Sequence, residues 1–306
     1  MTERTSKIKA SNKKIRKTDK FSRDIDIKLI NKLKARKLWT DRLEIDCRKR
    51  DVVFAIRPGY ISFYHKGGCL FRFDNKGLKT NVKYSVLLDK TTHKSEYIYE
   101  DYLHDIQLID NFNDGYDDIK KNCKNYSYKS EAEGVSRIYH KYPYNSVGSD
   151  VVVLDIEVAF IESQEQDERK QNRIDLLLYH KRLKKLRFIE AKKYDNDEIR
   201  AKNSPPQVIG QLQRYRDIIN VQREYIRNAY KKYTNALNTI FTGLSLPEPQ
   251  EIDENVGLLI FGFDKDQMVG RLNDQIKKNP EFDGIPCYCI GDIKDIKAEN
   301  LWKGTE

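Results

Sequence analysis

RIDLLLYHKRLKKLRFIEAK, residues 173–192, consists of two apolar arms joined by a short basic link. Each arm reads as a strand, and together they read as a hairpin. If the chain turns about Arg182-Leu183, positions equidistant from the turn pair, and Asp175 lies opposite Glu190. Lys192 follows Glu190 by two residues, so strand alternation sends both side chains from the same face. Upstream, 151–161 reads as a third strand. Val152, Leu154, Ile156, Val158 and Phe160 make one apolar face of it, and Asp155 and Glu157 lie on the other. A loop over Glu162–Asn172 would return the chain so that Glu157, Asp175 and Glu190 form a row across three strands.

The flanking segments define a fold class. A helix is expected from Gln207 to about Phe241, after Pro205-Pro206, then a strand at 256–263, a helix near 265–278 and a short strand at 286–291. Three strands with short links form a meander, and strands that arrive through helices pair in parallel or mixed fashion. The expectation is an α/β fold, a mixed central sheet flanked by helices.

Adjacent carboxylates on a buried sheet repel each other and are costly to desolvate. A divalent cation removes that conflict, and hard oxygen ligands suit Mg2+ or Mn2+. Such an ion lowers the pKa of its bound water and stabilises charge building on a phosphate. Lys192 would orient the attacking water or stabilise the transition state. The structural alternative is an interstrand salt bridge among Asp175, Glu190 and Lys192.

Asp175 followed by Glu190-Ala191-Lys192 at the end of the next strand resembles the PD-(D/E)xK nuclease superfamily, with its restriction-endonuclease-like fold. Gln211 and Tyr215 fit the Q-x-x-x-Y helix of its RecB-type branch, and their spacing puts both on one helix face. No Pro precedes Asp175, and the Gly of the RecB-type pattern is absent. The resemblance covers roughly 130–292. It implies that Asp175, Glu190 and Lys192 are catalytic, that Glu157, Asp175 and Glu190 hold metal, and that Gln211 and Tyr215 position the substrate or Lys192. Glu131, on the helix before the first strand, is a candidate for a further acidic ligand. The implied activity is Mg2+-dependent nucleic-acid hydrolysis, DNA favoured over RNA, in a prokaryotic defence or restriction setting. The alternative is a catalytically silent or partner-activated nucleic-acid-binding subunit of a larger complex.

Charge is compatible with a polyanionic partner. The net charge is +10 over 306 residues. Arg182 and Lys184 in the hairpin turn, and Arg214 and Arg216 on the long helix, are candidate phosphate contacts or simply solvated faces. Residues 1–24 read as a basic flexible arm, 25–125 as a helix, a small antiparallel β-meander and a helical connector, and 126–306 as the nuclease domain. The meander aromatics Tyr60, Phe63, Tyr64, Phe71 and Phe73 either stack on bases or form core. The N-terminal region is also a candidate surface for a protein partner, and a homo-oligomer is left open. The cysteines, Cys47, Cys69, Cys123, Cys287 and Cys289, are scattered and lack zinc-site spacing. With no membrane-length apolar run and no signal-peptide pattern, the expected location is the cytoplasm, away from membranes.

Overall fold

A computed structural model describes residues 20–85, 95–105, 111–160, 173–201 and 205–304. Most of the expected arm (residues 1–19) and the Glu162–Asn172 return loop lie outside the described residues.

The chain forms a mixed α/β structure with two sheets. The first is antiparallel, with strands in the order β1 (Val53–Arg57), β2 (Tyr60–His65), β3 (Gly68–Asp74), β4 (Gly77–Asn81) and β5 (Tyr97–Tyr99). The sequence pattern predicts three of these strands. Strand β4 continues past the Asn75-Lys76 turn, and β5 arises within a stretch expected to be helical. Between β2 and β3, Lys66 (φ 46°) and Gly67 (φ 92°) are both left-handed, the requirement of a hairpin turn that matches strand twist. Helices α1 (Ile27–Lys34) and α2 (Glu44–Arg48) precede this sheet, and α3 (Tyr116–Ser127) packs against β3.

Helix α4 (Glu131–Lys141) opens on Ser130, whose hydroxyl accepts from Glu133 N. There follow β6 (Val151–Ala159), β7 (Arg173–His180), β8 (Lys185–Lys193), α5 (Gln207–Ile240), β9 (Glu251–Ile252) and β10 (Gly257–Phe261). A short α6 (Lys265–Gln267) runs into wider helical winding over Met268–Lys277, and β11 (Cys287–Ile290) and α7 (Ala298–Lys303) complete the chain. The second sheet is ordered β11-β10-β8-β7-β6, with β9 beside β8. β6, β7 and β8 are antiparallel neighbours, whereas β10 is parallel to both β8 and β11. The segment between the antiparallel meander and β10 is long enough for a crossover because α5 supplies it.

The hairpin register matches the expectation: Leu176 pairs with Ile189 and His180 with Lys185. The upstream strand departs from simple alternation. Val153 pairs with Leu178 and Asp155 with Leu177, so Leu154 is an extra, bulged residue. Beyond the bulge, Ile156 pairs with Leu176 and Val158 with Ile174, which sets Glu157 level with Asp175.

The two sheets share one apolar core. Trp39 and Phe54, from the N-terminal region, pack on Phe241 after α5 with ring centres 5.9 and 5.5 Å away. Phe63, Phe71 and Phe73 are fully buried and are core residues rather than stacking platforms. Residues at the end of the expected arm also join the core, since Phe21 and Arg23 are buried. Helix α4 is wedged between the sheets. A Cβ on Gly67 would stand 2.7 Å from the α4 backbone, and a Cβ on Gly134 would stand 2.3 Å from the Phe261 ring of β10. Among the described residues, no helix is long and apolar enough to cross a membrane.

Candidate active site

The antiparallel pairing of β7 with β8 brings Asp175 to the level of Glu190, and Ala191 N donates to Asp175 Oδ2 at 2.8 Å. Two residues along β8, Lys192 shares the face of Glu190, and its Nζ lies 2.9 Å from Glu190 Oε1. Helix α5 crosses the same face. Gln211 Nε2 donates to Glu190 Oε1 at 2.8 Å and reaches the Tyr215 hydroxyl at 3.0 Å. The Tyr215 hydroxyl in turn donates to the Arg173 carbonyl at 2.8 Å. The one-turn spacing of Gln211 and Tyr215 thus ties the helix to both strands of the hairpin.

Glu190 and Lys192 are both buried. Lys192 also contacts Glu198 Oε2 at 2.6 Å, from the helical turn Asp197–Ile199. Glu190 Oε2 is buried and accepts no hydrogen bond. Burial pushes the Glu190 carboxyl up to about 7, although the Lys192 ammonium pulls it down. Withdrawal from water, followed by the charges of Glu190 and Glu157, raises Asp175 well above the usual carboxylate range. Burial alone would lower Lys192, but Glu190 and Glu198 outweigh it and hold the amine protonated.

The remaining predicted residues are distributed as follows. Glu157 is level with Asp175, but its backbone is left-handed (φ 50°) and its carboxylate pairs with Arg173 Nε at 2.5 Å. The expected row of three carboxylates is therefore present along the backbone, with the outer carboxylate turned onto a cation. Glu131, at the start of α4, accepts from Lys193 N at 2.7 Å and from Asn196 Nδ2 at 3.1 Å, which fastens the helix to the end of β8. Arg214 and Arg216 are exposed on the turn of α5 that carries Gln211 and Tyr215. Arg182 and Lys184 are not brought to the site. They sit in the turn beyond His180, and Asp175 lies five residues back along β7 from that strand end, roughly 17 Å at the usual rise per residue. Arg182 there forms an ion pair with Asp150.

Glu198, Arg173 and Asn196 are absent from the sequence reading. Asn196 caps the turn that presents Glu198, accepting from Glu198 N at 3.0 Å. The Asn196-Asp197-Glu198 pattern just beyond Lys192 was the available signal, a capped acidic turn. Among the described residues, no group of three His, Cys, Asp or Glu side chains is already arranged to hold a metal ion. Cys287 and Cys289 do project from one face of β11, with sulfurs 3.8 Å apart, and all five cysteines are free thiols.

No protein-family model matches the chain, and no match to it is found among curated proteins or solved structures.

Proposed function

We propose that the chain is a metal-dependent nuclease that hydrolyses phosphodiester bonds of nucleic acid, DNA before RNA, on a restriction-endonuclease-like core. The observation that carries this reading is Glu190. One of its oxygens is held by Lys192 and Gln211, while the other is buried without a partner beside the raised Asp175 carboxyl. Two hard oxygen donors side by side, which a cation would draw into their ionised forms, fit Mg2+ or Mn2+. The element order α4-β6-β7-β8-α5-β10-β11 supports the core assignment.

Asp175 and Glu190 would hold the ion, with Glu157 joining once its carboxylate leaves Arg173. A bound Mg2+ or Mn2+ supplies positive charge to the phosphate and lowers the pKa of water. Lys192, kept protonated by Glu190 and Glu198, orients the attacking oxygen or neutralises charge on the phosphate. Gln211 and Tyr215 keep Glu190 in one orientation. Arg214 and Arg216 offer phosphate contacts that position the polymer without choosing sequence. The proposal extends, by analogy of architecture alone, to a role in restriction or anti-phage defence.

Incubation with plasmid, linear duplex, single-stranded DNA and RNA, in Mg2+, Mn2+ or EDTA, tests the reading. Cleavage that needs the cation and is lost in Lys192→Ala is the expected result. Unchanged cutting in that variant sinks the mechanism. A second reading, a silent nucleic-acid-binding subunit, draws on the pairing of Glu157 with Arg173 and of Lys192 with Glu198. It predicts binding without cleavage under every condition.

A further inference from the structure

Beside Asp175, between the two sheets, lies a cleft of about 290 Å³ whose far walls the proposed chemistry does not use. Tyr64 and Gly67 of the N-terminal sheet form one wall, Tyr139 of α4 another, and Glu157, Arg173 and Asp175 the third. These walls are fastened together. Gly67 N donates to the Tyr139 hydroxyl at 3.0 Å, and Lys66 N donates to His140 Nε2 at 3.2 Å. On the other side Arg57, from β1, donates to the Ile156 carbonyl at 2.5 Å and to Asp155 Oδ1 at 2.7 Å. The N-terminal sheet cannot swing away without stranding buried polar groups, so the folded chain sets the width of the cleft.

The geometry points to this cleft as the seat of one unpaired nucleotide next to the scissile phosphate, and hence to single-stranded or frayed nucleic acid as the substrate class. This assignment rests on the hydrolytic reading above. The volume lies at the lower limit for small-ligand pockets, about 300–1,000 Å³. A duplex, whose major groove alone is about 12 Å wide, does not enter a fixed space of that size. The lining sets an aromatic ring and a guanidinium beside the carboxylates of Glu131, Glu157 and Asp175. Tyr64, half-buried in the cleft wall, brings an aromatic ring to it, with the Arg57 guanidinium 5.7 Å from the ring centre. Stacking on such a ring holds unpaired bases without sequence choice. Arg173, with 51% of its side chain exposed, stands where a flanking phosphate would arrive, and an Arg fork matches phosphate geometry. Extruding a nucleotide costs least where the strand is already single.

The test uses the intact chain and a short single strand carrying 2-aminopurine, whose fluorescence is quenched by stacking. In EDTA, binding is expected to quench the probe. Tyr64→Leu, which keeps apolar volume but removes the π-face, should abolish the quench and weaken single-strand binding roughly tenfold. Tyr64→Phe should retain both, which separates loss of stacking from loss of fold, and blunt-duplex binding should be the same in all three proteins. In Mg2+, single strands and frayed ends should be cut faster than blunt duplex. Quenching that depends on Tyr64, with no cutting of any substrate, leaves the cleft as the seat of an unpaired nucleotide and removes the hydrolytic reading, and with it the scissile phosphate. Cutting of blunt duplex as fast as single strand, or a quench unchanged in Tyr64→Leu, overturns the cleft assignment and leaves hydrolysis intact.

Discussion

Asp155 and Asp175 stand on neighbouring strands of one sheet, yet their surroundings are opposite. Asp155 accepts from Arg57 Nη1 at 2.7 Å, Arg23 Nε at 2.9 Å, the Tyr230 hydroxyl at 2.8 Å and its neighbour Ile156 N at 2.8 Å. Burial would raise its carboxyl, but the two guanidiniums outweigh burial and lower it. Asp175 has one backbone donor and stands near the carboxylates of Glu190, Glu157 and Glu131, and burial with these charges raises it. A buried carboxylate whose charge is neutralised within the chain joins parts of the fold. Asp175, partly exposed and set beside other carboxylates with a single donor, is costly to ionise, and the cation proposed above would offset that cost.

This contrast is broken most decisively by exchanging the two roles. Asp175→Asn should reduce hydrolysis by roughly 10³-fold or more, the several kcal/mol a held cation contributes, while the metal-free melting temperature stays level or rises. Asp155→Ala should do the reverse, costing about 3–5 kcal/mol of stability by leaving two buried guanidiniums unpaired. Denaturant titration and initial rates on both variants check the pair. A destabilised Asp175→Asn would erase the distinction.

Proton linkage sharpens it. Glu190 moves from its usual value of 4.5 to about 7 on folding, so the folded chain binds the proton more tightly than the unfolded one. Its contribution therefore favours folding at low pH and is lost as pH rises through that interval. Asp155, lowered, contributes stability that is present above its ordinary range and lost on acidification. In EDTA, Glu190→Gln should narrow the stability difference between pH 5 and pH 8, and Mg2+ should stabilise the parent chain at pH 8 far more than at pH 5. Equal Mg2+ stabilisation at both values would contradict the assignment.

The smallest expected effect concerns the missed partner of Lys192. The Glu198 side chain is 43% exposed, so its ion pair is screened. Glu198→Gln should change the hydrolysis rate by less than about tenfold, whereas Gln211→Ala, which removes one of the two groups holding Glu190 Oε1, should cost more. A rate comparison on one substrate orders the two.

Local pattern carried much of this into view. The basic turn and its apolar arms set the hairpin register, and the one-turn spacing of Gln211 and Tyr215 set their shared face. What escaped was long-range or conformational. Arg23 and Arg57 reach Asp155 from 132 and 98 residues away, and no periodicity signals such a pairing. The left-handed turn at Glu157 swings its carboxylate onto Arg173, although strand alternation alone aims it along the row. Strand β5 is three residues long, too short to show a period.

Helix α4 is gripped on two sides at positions where even a methyl group has no room, Gly67 against its first turn and Gly134 against Phe261. It behaves as a shim, and its thickness is the spacing between the two sheets. Enlarging either glycine would wedge the sheets apart, widening the cleft beside Asp175 while leaving Asp175, Glu190 and Lys192 chemically unaltered. Two residues without side chains therefore hold the calibration of the gap, one of them in the cleft wall and the other behind it.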